Sequence, residues 1–102
     1  MIQKSNLYSG ESPDADREIF STLFNNGTVR VESICSWLKN PGEWYDQKEN
    51  EWVMLCDGEA ELEIGGEVLS LTRGDCLLIP AHTPHRVLST ARNTYWIGVF
   101  CP

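Results

Sequence analysis

Both histidines of this chain, His82 and His85, lie in one stretch, Arg73 to Val87, which reads Arg-Gly-Asp-Cys-Leu-Leu-Ile-Pro-Ala-His-Thr-Pro-His-Arg-Val. Imidazole titrates near neutrality and ligates metals in its neutral form, so any histidine chemistry is confined to this stretch. Gly74-Asp75 is a turn signal, Cys76 to Ile79 is an apolar run of strand length, and Pro80 to Pro84 forms a second turn that ends at His85. A strand, a proline-stiffened loop and a ring at the start of the next strand leave the imidazole little freedom, as a metal ligand or general base requires. Two roles are open for His85: metal or substrate contact, or a strand-end ring bonded to backbone. His82, on the loop, is either solvent-exposed or a pocket acid, base or second ligand.

The elements that must position these rings read as β throughout. Glu51 to Cys56 is an apolar strand ended by Asp57-Gly58; Glu59 to Ile64 alternates, Gly65-Gly66 turns the chain, and Glu67 to Leu71 answers it as a hairpin. Thr94 to Phe100 is a final strand. Residues 18 to 24 fit either a helix, through Ile19, Phe20, Leu23 and Phe24, or a strand, and the Asn26-Gly27 turn before the β-rich Thr28 to Cys35 favours a hairpin. Seven to nine short strands between turns predict an all-β fold, an antiparallel barrel or double-sheet jelly roll. The chain divides into 1–27, an arm with a first strand or short helix, and 28–102, the barrel, within a single domain. Val53 and Leu55 point to one face of their strand while Trp52, Met54 and Cys56 point to the other, so the outer apolar set needs a cover, and a homodimer is expected.

Composition excludes several classes. A net charge of -7, from 15 acidic against 8 basic residues, argues against nucleic acid, whose phosphates demand a basic face. No apolar run approaches the roughly 18 to 20 residues of a membrane span, and Met1 to Asn6 lacks the apolar core of a signal peptide, so the expected location is the cytoplasm. Cys35, Cys56, Cys76 and Cys101 show no Cys-x-x-Cys spacing and read as reduced, buried thiols. Glu59, Glu61 and Glu63 alternate with apolar residues as a solvated strand face does.

The histidine stretch resembles the second conserved motif of the cupin superfamily, Gly-x5-Pro-x-Gly-x2-His-x3-Asn, with Gly74, Pro80 and His85 in register. His82 stands where the family often has glycine, and Ser89 where it often has asparagine. Upstream, Glu51 and Gly58 resemble the Glu-x6-Gly end of the first motif, whose His-x-His is absent here. A three-residue gap places Tyr45 and Gln47 at those positions; a four-residue gap places Trp44 and Asp46 there. The first register keeps Tyr45, Gln47 and Glu51 on one face of an unbulged strand. Trp44 to Trp52 is also similar to a Trp-Tyr-Asp-Gln…Glu-Trp subgroup of small single-domain bacterial cupins, and the likeness covers roughly residues 28 to 100.

The resemblance implies a small-molecule ligand inside the barrel and a divalent transition metal (zinc, iron, manganese or nickel) held by Gln47, Glu51 and His85, with His82 or Tyr45 moving protons. Trp44, Tyr45 and Trp52 are expected either to line the mouth of the pocket or to fill the barrel and a dimer seam. Three functions stay open: a metal-assisted enzyme, a non-catalytic ligand-binding or degenerate cupin, and a metal-free sugar isomerase or epimerase using His85 and Tyr45.

Overall fold

Turn chemistry divides the chain into eight strands. In the structure, a computed structural model describing residues 1–102, these are β1 (Arg17–Asn25), β2 (Arg30–Trp37), β3 (Asn50–Asp57), β4 (Glu59–Ile64), β5 (Glu67–Thr72), β6 (Cys76–Ile79), β7 (His85–Thr90) and β8 (Thr94–Cys101). There is no helix, so the ambiguity at residues 18 to 24 resolves as a strand. Asn26 stabilises the β1–β2 turn, its side-chain oxygen accepting from the amides of Thr28 (2.9 Å) and Val29 (2.7 Å).

All pairings are antiparallel. They form a five-stranded sheet in the order β1-β2-β8-β3-β6 and a three-stranded sheet in the order β5-β4-β7. The two layers close as a jelly-roll barrel, as the strand count predicts. No helix is present that is long and apolar enough to cross a membrane.

Strand alternation sorts the side chains. Ile34, Val53, Leu55 and Trp96 from the large sheet meet Ala60, Leu62 and Leu71 from the small one and form the buried core with Ile79. Leu55 is fully buried, and Trp52, on the opposite face of β3, is exposed. Gly58 joins β3 to β4 with φ +100°, and a Cβ there would lie 2.8 Å from Thr94 Cα and 2.9 Å from its Cβ. Thr94 is wholly buried, so only glycine fits.

On the outer face of the large sheet, Phe24, Val31, Val99, Trp52 and Leu78 stand opposite one another across all five strands. Phe24, Trp52 and Leu78 are exposed. Beside this row the N-terminal arm lies against the sheet through Tyr8, packed edge-on to Tyr95 with centroids 5.0 Å apart.

Two expectations need correction. All four thiols are free, but only Cys35 is buried; Cys76 is exposed, because β6 is an edge strand and Cys76 falls on its outward face. Tyr45, Gln47 and Glu51 do not share one strand: β3 begins at Asn50, and residues 46–49 form a loop preceded by a single bridge from Tyr45 to His85.

Candidate functional site

Two loops zip together to build the site. Tyr45 N–H donates to His85 O (2.8 Å), His85 N–H returns to Tyr45 O (3.0 Å), and His82 N–H donates to Gln47 O (2.7 Å). Asn50 Oδ1 accepts from Ala81 N–H at 2.9 Å. These bonds draw the Pro80–Pro84 turn onto the 45–50 segment and carry His85 to the entrance of the barrel, facing the start of β3.

A cavity of about 80 Å³ opens there between the two sheets, several times the ~10–15 Å³ that admits one water. Tyr45, Gln47, Glu51 and His85 line it beside apolar walls that include Ile34, Val53, Leu62 and Trp96. The structure therefore brings together four of the five residues singled out in the sequence, although Tyr45 and Gln47 arrive on a loop and not on a strand.

His82 is the fifth, and it lies outside. Its side chain is 69% exposed, with Nδ1 3.3 Å from Asp46 Oδ1, which is also exposed. His82 has φ +59°, the left-handed conformation that glycine adopts without strain. The family glycine that His82 replaces thus has a backbone reason, and this turn directs the side chain outward. Asp46 likewise stays out of the cavity while Gln47 lines it, as expected from a gap of three residues. Trp44 is exposed and packs under Arg86, whose guanidinium carbon is 4.6 Å from its ring centroid. Trp52 is on the outer face, so of the three aromatics expected either at the mouth or in the barrel and a dimer seam, only Tyr45 lines the cavity.

Glu51 and His85 are both buried, at 6% and 5% exposure. His85 Nδ1 lies 2.8 Å from the carbonyl oxygen of Thr83, an acceptor only, so Nδ1 carries the proton. In the neutral ring Nε2 then presents a lone pair, and it faces Glu51 Oε1 at 3.8 Å. Gln47 Nε2–H donates to that same oxygen at 3.2 Å. Burial raises the Glu51 pKa, and the Gln47 bond and the His85 ring partly oppose the shift. Tyr45 stacks on His85 with centroids 5.8 Å apart. Burial, reinforced by the charges of Glu18, Glu43 and Glu51, raises its pKa, so at neutral pH it is a phenol that donates.

One ionisable cavity residue escaped sequence reasoning. Glu18 on β1 lines the wall, and its Oε2 accepts a 2.5 Å hydrogen bond from Ser36 Oγ, which itself accepts from Trp96 Nε1–H at 3.2 Å. Burial raises its pKa, with the Ser36 bond acting against the shift. Parity along β1 was the available signal, since Glu18 and Phe20 oppose the inward Ser36 and Ile34.

A jelly-roll barrel whose cavity holds a strand-end histidine and a buried carboxylate is the architecture of a cupin. Residues 39–98 match the family model described as Cupin domain, and the chain belongs to that family. Among solved structures it is similar to a candidate mannose-6-phosphate isomerase from Ralstonia eutropha JMP134, with 34% identity over 97% of each chain and a TM-score of 0.84. It shares its fold with KdgF from Halomonas sp. (18% identity, 91% of this chain and 86% of that one, TM-score 0.77). It likewise shares its fold with an RmlC-like cupin from Shewanella frigidimarina NCIMB 400 (21% identity, 99% and 95%, TM-score 0.74). No protein of curated function matches the chain.

Proposed function

We propose that this small cupin binds a divalent transition metal through Gln47, Glu51 and His85 and holds a small polar metabolite against it, as a metal-assisted enzyme. The observation that carries this reading is the pair of lone pairs at His85 Nε2 and Glu51 Oε1, facing each other at 3.8 Å in a buried setting. Facing acceptors are unfavourable unless a cation or proton stands between them. The donor set fits a metal: Thr83 O fixes the tautomer that frees Nε2, as partners behind ligating imidazoles do. No three His, Cys, Asp or Glu side chains converge anywhere in the fold, so the ion would have two strong donors and one neutral amide. Affinity is accordingly modest.

When bound, such an ion polarises a ligand oxygen as a Lewis acid. The residues of the chain supply the rest. The Tyr45 phenol donates a hydrogen bond or proton to the ligand, Glu51 contributes negative charge, and the apolar walls exclude water and strengthen these interactions. His82, on the rim, has no access to the cavity in this arrangement.

A second reading has its own support. Because burial favours the protonated form of Glu51, a proton could occupy the Glu51–His85 gap and equip the cavity for metal-free isomerisation or epimerisation with Tyr45. The name of the Ralstonia relative is that of an isomerase, which fits isomer chemistry with or without a metal. We further propose that a second copy of the chain covers the Phe24 to Leu78 row, giving a homodimer.

Plasma mass spectrometry on protein purified without an affinity tag tests the metal. Wild type should carry or take up about one transition ion per chain, and Glu51→Ala and His85→Ala should lose it while remaining folded. Wild type that cannot be loaded with micromolar zinc, iron, manganese or nickel would refute the metal site, and turnover that survives a chelator would select the second reading.

A further inference from the structure

We infer that Glu18 is a specificity residue of the cavity: its carboxylate receives a hydroxyl of an uncharged, hydroxylated ligand and turns away phosphate esters. The inference rests on the cavity being the ligand site and deepens that reading by naming the class of ligand.

Glu18 is held in place. It pairs with Ser36 across the β1–β2 ladder, and Phe20, two residues on along the same face, also lines the cavity. The chain of hydrogen bonds from Trp96 Nε1–H through Ser36 Oγ to Glu18 Oε2 fixes one carboxylate oxygen. The other oxygen has no hydrogen-bonding partner in the protein, and none of the ion pairs of the fold includes Glu18. A half-buried carboxylate with one oxygen anchored and one free accepts hydrogen bonds from whatever enters beside it.

The rest of the lining decides the sign of the ligand. Of its 13 residues the ionisable ones are Glu18, Glu51, Tyr45 and His85, and none is lysine or arginine. The nearby arginines are engaged elsewhere. Arg30 bonds Glu49 at 3.0 Å and covers the Phe100 ring, and Arg86 bonds Glu63 at 2.8 Å and covers Trp44. A phosphate monoester carries close to two negative charges and is recognised by arginine, lysine or convergent backbone N–H groups. Apart from the proposed ion, whose charge Glu51 already meets, this cavity offers carboxylates where such a site needs cations, on a chain whose net charge is already -7. Sugar hydroxyls suit the same surface, since Glu18 accepts, the Tyr45 phenol donates, and the Phe20 and Trp96 rings offer apolar faces. The phosphorylated substrate in the name of the Ralstonia relative therefore does not transfer to this cavity.

The test is an NMR titration of the full-length protein with two matched pairs, mannose against mannose 6-phosphate and glycerol against glycerol 3-phosphate. The Trp96 indole N–H reports the Glu18 end and the His85 ring reports the end proposed to hold the metal. In wild type the uncharged member of at least one pair should shift Trp96, with the phosphate ester binding at least about tenfold more weakly. Glu18→Gln, which keeps the acceptor for Ser36, should narrow that ratio to about threefold or less. An ester that binds wild type as tightly as its partner, an unchanged ratio in Glu18→Gln, or no Trp96 response to either uncharged probe at about 100 mM would each overturn the proposal. Should Glu18→Gln misfold, Glu18→Ala is read in its place, and the wild-type ratio stands on its own. Zinc added separately distinguishes the two claims: a His85 response without Trp96 selectivity leaves the metal site standing, and selectivity with a silent His85 ring sinks the metal alone.

Discussion

His85 Nε2 and Glu51 Oε1 face each other at 3.8 Å, too far for a hydrogen bond and too near for two lone pairs to ignore one another in a buried setting. The arrangement follows from Thr83, whose carbonyl oxygen claims the Nδ1 proton. The site is thus poised for a positive charge, and its own stability depends on whether one is present.

Protonation of Glu51 is one way to meet that demand. Its folded pKa is raised above the unfolded value by burial, so the folded state binds the proton more tightly. The stabilisation is complete below the unfolded value, near 4.5, and is lost as pH rises through the folded pKa. Glu51→Gln keeps the shape and removes the charge. With chelator present, its melting temperature should exceed that of wild type at about pH 8, and the gap should close towards acid pH. Calorimetry across that range checks this; a variant less stable than wild type at alkaline pH would show that the carboxylate is well satisfied without metal.

His82 offers a test of backbone against chemistry. A left-handed residue with a Cβ costs ~1–2 kcal/mol, whereas glycine gives back ~0.5–1 kcal/mol through its freer unfolded chain. The contact with Asp46 is exposed at both ends and contributes little. His82→Gly should therefore stabilise the protein by about 0.5–1 kcal/mol in urea unfolding and leave metal uptake unchanged. Loss of metal uptake in this variant would bring His82 back as a ligand.

The apolar row on the outer sheet makes a prediction about assembly. Trp52 and Leu78 are adjacent across β3 and β6, and both are exposed. Burying each in an interface is worth ~1.5–3 kcal/mol, and a glutamate in its place would leave an unpaired charge. Sedimentation velocity should find wild type dimeric, with Trp52→Glu and Leu78→Glu shifted to monomer at the same micromolar concentration. A wild-type monomer at high micromolar concentration would rule the dimer out.

Much of the fold was legible because turn residues mark its boundaries: Asn26-Gly27, Gly65-Gly66 and Gly74-Asp75 all sit between strands. Glu51, His85 and Gln47 were legible through motif spacing, although the strand argument for Tyr45 and Gln47 failed because the chain is looped until Asn50. Parity along β3 placed Val53 and Leu55 inside, and the same parity puts Trp52 outside, which removes the mouth from the two places expected for it. Glu18 was not legible: its segment was ambiguous between helix and strand, and its cavity partner Ser36 is 18 residues away in sequence. Only the β1–β2 register sets the two side by side.

β1 carries Glu18 and Phe20 into the cavity wall, yet it has a neighbouring strand on one side only. Its side chains are mostly exposed, and a bulge between Thr22 and Phe24 interrupts its ladder. A strand held in this way frays at a fraction of the free energy that unfolds the core. The amides of β1 should therefore exchange with solvent well before those of β2, β3 and β8.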